Sequence, residues 1–283
     1  MAYPDRARAL WQQLRETLCA SRSLAEAEAE AYWLLEHFAG LGRTQVIVDA
    51  SVANLPAGVL ENALERLAQH EPIQYVLGEA WFYGRAFHVA PGVLIPRPET
   101  EELVQKALEL HPHPHGIILD VGTGSGCIPI TLKAEQPAWQ VYGLDVSTEA
   151  LQIAQTNANQ LEVEVQWLEV DILHRMPEVP PLDLLISNPP YVRRLEAEQM
   201  EVKVLDHEPH LALFVENEEP LLFYRRLADL APQLLKSDGW LATEINEALG
   251  AGVADLYHRA GLQHVAIYKD MQGKDRVVVG QKP

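Results

Sequence analysis

From residue 117 onward the chain alternates apolar, β-branched runs with stretches of helical periodicity. IILDV (117–121), VYGLD (141–145), VEVQWLE (163–169), LDLLIS (182–187) and GWLATEI (239–245) read as strands. Residues 126–136, 148–160 and 221–236 between them read as helices. Strands separated by crossover helices pair in parallel, and the helices then cover both faces of the sheet. The tail breaks this rhythm. LQHVAIYKD and DRVVVGQK, joined by a turn at Met271–Lys274, predict an antiparallel hairpin at the end of the sheet.

With 283 residues there is room for this α/β layer and a second, smaller domain. The first seventy residues are rich in Ala and Leu, and Leu10, Leu14, Leu18, Leu34, Leu35 and Phe38 recur at helical spacings, so residues 1–70 are expected to form a small helical bundle. Residues 71–97, EPIQYVLGEAWFYGRAFHVAPGVLIPR, mix aromatic and β-branched residues with Gly78, Gly84 and a Pro91-Gly92 turn, which predicts a β-hairpin connector. The α/β domain then occupies 98–283, opening on a helix in PETEELVQKALEL with Pro98 in the first turn and glutamates at the positive end of the dipole.

Charge narrows the partners. Forty acidic residues against 22 basic ones give a formal charge of −18, a field that repels phosphate backbones and favours basic proteins. No direct nucleic-acid binding is expected. Two cysteines, Cys19 and Cys127, lack CxxC spacing, no N-terminal apolar segment resembles a secretory signal, and no apolar run reaches the ~20 residues of a membrane span. A reduced, cytoplasmic protein without a membrane partner is expected.

In ILDVGTGSGCIPI, Gly122, Gly124 and Gly126 leave a strand and open a helix, with Thr123 and Ser125 between them, so a ligand can approach the backbone closely. A tight strand-to-helix turn without a ligand has the same look. Two carboxylates add weight: Asp120 ends the strand before the loop, and Asp145 ends the next strand, where it can accept both hydroxyls of a ribose. The pattern is DxGxGxG rather than GxGxxG, and no P-loop lysine follows. It suits S-adenosylmethionine better than a pyrophosphate.

ISNPPYV (186–192) leaves the sheet abruptly, because Pro189 and Pro190 cannot donate to a ladder. In isolation it could be a strand exit whose Asn merely caps a turn. Together, LIPRPETE (94–101), DVGTGSG (120–126), the strand ending at Asp145, ISNPPYV and KDMQGKDRVVVG (269–280) resemble the protein-(glutamine-N5) methyltransferases that modify peptide chain release factors. The resemblance spans nearly the whole chain. It implies a seven-stranded, doubly wound, Rossmann-like sheet of the class I methyltransferases, with S-adenosylmethionine as cofactor and release factors as protein substrate.

It also implies roles. The cofactor is expected on Gly122, Thr123, Gly124, Ser125, Gly126, Asp145 and Asn188, with Asp171 and Ile172 beside the adenine. Relatives carry Trp where this chain has Ile172, so an apolar wall replaces a stacking one; Asp171 can equally start a turn. Asn188, Pro189, Pro190 and Tyr191 are expected to bind and activate the glutamine amide. The Asn188 side-chain oxygen and the Pro189 carbonyl can each accept a hydrogen of the NH2, Pro190 stiffens the turn, and Tyr191 can stack on the flat amide.

Other features read less sharply. Arg97 can bind a carboxylate or pair with Glu99 or Glu101. HPHPH (111–115) reads as a solvated linker rather than a metal tract, and Cys127 as a small buried hydrophobe. VENEEP (215–220) and the missing glutamine in EINEALG depart from the family around the substrate-side loops. Methylation of a ribosomal protein, adenine N6 methylation of nucleic acid and a non-catalytic cofactor-binding scaffold are the rival readings; the charge and the absence of a basic stripe weigh against the nucleic acid.

Overall fold

The computed structural model describes residues 3–53, 55–111 and 113–283, apart from the Gln199 side chain. The chain divides into two compact units, Met1–Gly78 with Val202–His207, and Glu79–Glu201 with Glu208–Pro283.

The first unit contains α1 (Ala7–Leu18), α2 (Leu24–Ala39), α3 (Arg43–Ile47), α4 (Val59–Ala68) and α5 (Ile73–Leu77). Ser23 and Glu26 form a reciprocal capping box at the start of α2, and Gly40 closes it in the left-handed region at φ 65°. Leu10, Leu14, Leu34, Leu35, Leu60 and Leu67 are fully buried and form the unit's core. Residues 73–77, expected within the hairpin, are helical, and Gly78 at φ 70° ends that turn. The hairpin itself is confined to β1 (Glu79–Phe82) and β2 (Arg85–His88).

In the second unit, α6 (Pro98–Leu110) is followed by β3 (Ile117–Val121), α7 (Cys127–Glu135), β4 (Gln140–Asp145), α8 (Thr148–Gln160), β5 (Gln166–Glu169) and β6 (Leu182–Ser187). A short β7 (Val192–Arg193), a 3₁₀ turn at Arg194–Gln199, α9 (Val202–His207), α10 (His210–Leu213) and β8 (Phe214–Val215) come next. The chain ends with α11 (Leu222–Leu234), β9 (Leu235–Glu244), α12 (Gly250–Arg259), β10 (Gln263–Lys269) and β11 (Asp275–Gln281). Of these, α9 belongs to the first unit, where Lys203 pairs with Glu26 at 3.6 Å and His207 meets the Gln69 carbonyl at 3.1 Å.

The sheet has seven strands in the order β10-β11-β9-β6-β3-β4-β5. Its central pairs are parallel, whereas β11 is antiparallel to both β9 and β10, as expected of the tail hairpin. Two apolar clusters cover the faces, one built on α11 and α12, the other on α6, α7 and α8. The register aligns Val121 with Ser187 and Ser187 with Thr243, so the carboxyl ends of β3, β6 and β9 stand side by side. Ligands of open α/β sheets bind along that edge.

Two strands differ from expectation. β5 starts at Gln166 rather than Val163, because Glu162 is left-handed at φ 54° and the Val163 amide closes the end of α8 on the Ala158 carbonyl. β9 starts four residues early, at Leu235, and reaches the expected strand through an irregular stretch with Asp238 at φ 62°. HPHPH is not a solvated linker throughout: His111 is buried, its ring packs on Trp139 at 5.4 Å, and the Trp139 indole donates to the His113 carbonyl. Pro112 lies outside the described residues. Among the described residues no helix is long and apolar enough to cross a membrane.

Candidate active site

The glycine loop is held from its neighbouring strand. Gly122 and Thr123 both donate to the Leu144 carbonyl, at 2.8 and 3.0 Å, and the Gly124 amide donates to Asp145 Oδ2 at 2.9 Å. Gly122, Gly124 and Gly126 have φ of 74°, 53° and 81°, a region that side chains rarely adopt. At Gly122 and Gly124 a Cβ would meet no atom of the described residues within 4 Å, so the loop presents bare backbone to open space; at Gly126 it would collide with Ile130 and Ala154. The Ser125 carbonyl accepts from Asn157 Nδ2, whose amide also holds His88 of β2. Asn157 carried no signal in the sequence, because a helical Asn declares its partners only after folding.

Asp145 accepts from Gly124 through one oxygen and from the Ser147 amide through the other. Burial raises its pKa against those backbone bonds. Each oxygen keeps a lone pair for further donors, such as ribose hydroxyls. Asp120 is more extreme. It is fully buried, among the described residues neither oxygen meets a donor in hydrogen-bonding geometry, and burial pushes its pKa up to about 7, with the nearby Thr123 hydroxyl opposing and the Asp145 charge adding. S-adenosylmethionine brings a cationic sulfonium, an ammonium group and ribose hydroxyl donors; an orphaned carboxyl group beneath a loop of bare backbone fits that chemistry.

Asp171 sits at the turn after β5, where its side chain is 43% exposed and bound by the Leu173 amide and by His174 Nδ1 at 2.8 Å. Desolvation would raise its pKa, yet these bonds hold it below the usual range. The turn-forming role is therefore present whatever else Asp171 does. Ile172 is buried in the core cluster, and its carbonyl accepts from Arg226.

The elbow is anchored at three points. Ser187 donates its hydroxyl to the Val121 carbonyl at 2.6 Å, Asn188 Nδ2 donates to Thr100 Oγ1 at 3.1 Å, and Tyr191 Oη donates to Glu244 Oε1 at 3.3 Å. Thr100 in turn donates to Glu244 Oε2 at 2.6 Å. Burial pushes Glu244 up to about 7, although Thr100, Arg276 and Tyr191 all pull it down. Burial also raises the Tyr191 phenol, so it stays a neutral donor. Among the described residues, no donor takes the Asn188 side-chain oxygen or the Pro189 carbonyl, and both acceptors remain available. Asn188, Pro189 and Tyr191, with Leu94 and Arg97, line a cavity of about 50 Å³.

Arg97 does not pair with Glu99 or Glu101. Its guanidinium meets Glu208 Oε1 at 2.6 Å, while Glu208 Oε2 accepts the Ile95 amide and Glu101 is committed to the Tyr83 amide. VENEEP clamps the segment that leaves the elbow. Phe214–Val215 pairs in parallel with Val192–Arg193, Glu216 meets Arg194 at 2.9 Å, and Asn217 caps the Leu195 amide. Cys127 is buried, and its thiol is pushed up to about 12, so it is an inert core residue. Thr100, Glu208 and Glu244 carry no site signal in the sequence beyond their presence inside PRPETE, EPHLALF and EINEALG.

The chain is similar to known proteins over most of its length. The PrmC N-terminal domain matches residues 9–78, and the Methyltransferase small domain matches residues 100–209. A release factor glutamine methyltransferase of Flavobacterium psychrophilum is 41% identical over 89% of this chain and 91% of its own. Another, of Bacteroides thetaiotaomicron, is 45% identical over 79% of this chain and 80% of its own. Among solved structures, a methyltransferase from Pyrococcus furiosus superposes with a TM-score of 0.54 at 16% identity, over 78% of this chain and 98% of that one, a likeness of fold. With identity at that level over nearly the full length of its relatives, the chain belongs to the release factor glutamine methyltransferase family.

Proposed function

We propose that the chain transfers the methyl group of S-adenosylmethionine to the side-chain nitrogen, N5, of a glutamine in peptide chain release factors. The observation that carries this reading is the elbow, which offers two free acceptors, the Asn188 side-chain oxygen and the Pro189 carbonyl, on a segment held by Ser187, Thr100 and Glu244. A primary amide has two N–H donors to give to such a pair, whereas a hydroxyl has one.

When bound, the cofactor supplies an electrophilic methyl on a sulfonium. The chain's own residues do the rest. An amide nitrogen is a poor nucleophile because its lone pair is delocalised into the carbonyl. Two acceptors that grip its hydrogens fix the nitrogen's direction and oppose the planar resonance form, which is chiefly a positioning effect. Pro189 and Pro190 make the grip rigid, and Tyr191 can cover the amide face. The methylated amide cation is acidic enough to lose its proton to water, so the site requires no strong base.

The glycine loop, from Gly122 through Thr123, Gly124 and Ser125 to Gly126, would hold the amino-acid end of the cofactor. Asp145 would hold the ribose, and Asp171 with Ile172 would border the adenine. The helical unit, with its match to the PrmC N-terminal domain, would recognise part of the release factor away from the glutamine. A net charge of −18 supports a basic protein partner over nucleic acid. Incubation with methyl-labelled S-adenosylmethionine and, separately, a release factor, a ribosomal protein and DNA tests the reading. Label on a release-factor glutamine is expected; label only on the ribosomal protein or on adenine would replace it.

A further inference from the structure

An amide side chain can sit in one place in two orientations, and only one of them serves the chemistry above. With its oxygen toward the substrate, Asn188 accepts a hydrogen from the reacting NH2; turned over, it presents a second donor and repels it. Its near-symmetric shape cannot make this choice, so its surroundings must.

We propose that Thr100 and Glu244 are positioning residues that lock the Asn188 amide with its oxygen toward the substrate nitrogen, an inference that rests on the methyl-transfer reading above. The hydroxyl of Thr100 has one proton. It is committed to Glu244 Oε2 at 2.6 Å, which leaves Thr100 Oγ1 as an acceptor toward Asn188. The group that meets it at 3.1 Å must then be the NH2 of Asn188, and the carboxamide oxygen is forced to the other side. The other oxygen of the same carboxylate accepts from Tyr191 Oη at 3.3 Å, so one buried group orders both polar side chains of the elbow. Glu244 and Thr100 are 1% and 3% exposed, so water does not compete for these bonds.

The lock depends on Glu244 being an acceptor at both oxygens. A protonated Glu244 would donate to Thr100 or Tyr191, free the Thr100 proton to turn toward Asn188, and allow the amide to flip. Several groups bear on that proton. Thr100 and Glu99 come from α6, Tyr191 from the elbow and Arg276 from β11, while Tyr224 of α11 donates to the Glu244 backbone carbonyl and the Cys127 thiol of α7 lies close enough to interact. Arg276 favours the anion and Glu99 opposes it, with burial the largest influence, and the balance leaves Glu244 ionising at about 7.

The test compares Thr100→Val, Thr100→Ser and Glu244→Gln with the parent chain, using single-turnover methylation of a release factor at saturating S-adenosylmethionine over pH 6 to 9. Thr100→Val keeps the shape and loses the hydroxyl. Its transfer rate is expected to fall about 10- to 100-fold, the scale of losing one oriented contact, with cofactor Kd and release-factor KM nearly unchanged; Thr100→Ser should restore most of the rate. The parent rate should rise as pH passes through about 7, and Glu244→Gln should be slow and lack that rise. A Thr100→Val rate close to the parent's, a failure of Thr100→Ser to restore it, or a rise that survives in Glu244→Gln would overturn the lock. Where Glu244→Gln does not fold, the Val and Ser pair decides alone. A parent chain that methylates no release factor would instead sink the methyl-transfer reading, so the two failures are distinct.

Discussion

Ser187 donates its hydroxyl to the carbonyl of Val121, 2.6 Å away and fully buried, and so ties the root of the Asn-Pro-Pro-Tyr elbow to the strand that carries the glycine loop. The two segments that would hold substrate and cofactor leave neighbouring strands at the same register. Because both roots are packed in the sheet, the distance between a bound amide and a methyl donor on these segments would be set by the core rather than by loops.

Removing the Asn188 acceptor should leave that frame intact. Asn188→Ala is expected to keep the fold and most cofactor affinity while kcat falls on the order of 10²–10³. Tyr191→Ala should be milder, since stacking orients the amide without accepting its hydrogens. Asn188→Asp is expected to tighten cofactor binding through its added negative charge and still lower the transfer rate. Single-turnover rates and calorimetric cofactor affinities, measured on the same preparations, separate these effects. An unchanged transfer rate in Asn188→Ala would reduce the elbow to a turn.

Cofactor binding should depend on Asp145. Asp145→Ala is expected to weaken S-adenosylmethionine by ~1.5–3 kcal/mol, the usual worth of hydrogen bonds to a charged group. Part of that loss would come through Gly124, whose amide gives up its partner. Calorimetry gives the affinity directly, and neither NAD nor ATP should bind comparably.

Asp120 should make stability depend on pH in a defined direction. Its folded pKa, about 7, lies above the ordinary 3.8, so the folded state holds a proton that the unfolded chain releases. The associated stability is fully present below about pH 4 and is lost as pH rises through about 7. The displacement corresponds to at most about 4 kcal/mol at 1.36 kcal/mol per pH unit. Asp120→Asn removes the charge, so it should raise Tm at pH 8 more than at pH 5, flatten the pH dependence and weaken the cofactor. Calorimetric melts across that range check the sign; a Tm gain larger at pH 5 would contradict it.

Partner capture should be electrostatic. With a formal charge of −18, raising salt is expected to increase KM for the release factor more than it lowers kcat, as the screening length falls to ~8 Å at physiological ionic strength. A short glutamine peptide should be a far poorer substrate than the whole factor. Steady-state kinetics on both substrates at several salt concentrations measure this, and equal efficiency on the peptide would remove the helical unit from recognition.

Much of this protein was written locally. The strands, the glycine loop, the helix opened by Pro98 and the break at Asn-Pro-Pro are set by periodicity, by residues that permit positive φ and by residues that cannot donate, all of which act over a few neighbours. The partners of the site were not written there. Arg97 had two glutamates within four positions and took Glu208 instead, 111 residues away, while Glu101 went to the Tyr83 amide. Thr100 and Glu244 meet across 144 residues. Likewise α5 replaced part of a hairpin, and His111 left an extended run to pack on Trp139. Local pattern determines which element a segment forms and where it breaks; which side chains then share a hydrogen bond follows from the order and register in which the sheet brings those elements together, and only the folded chain sets that order.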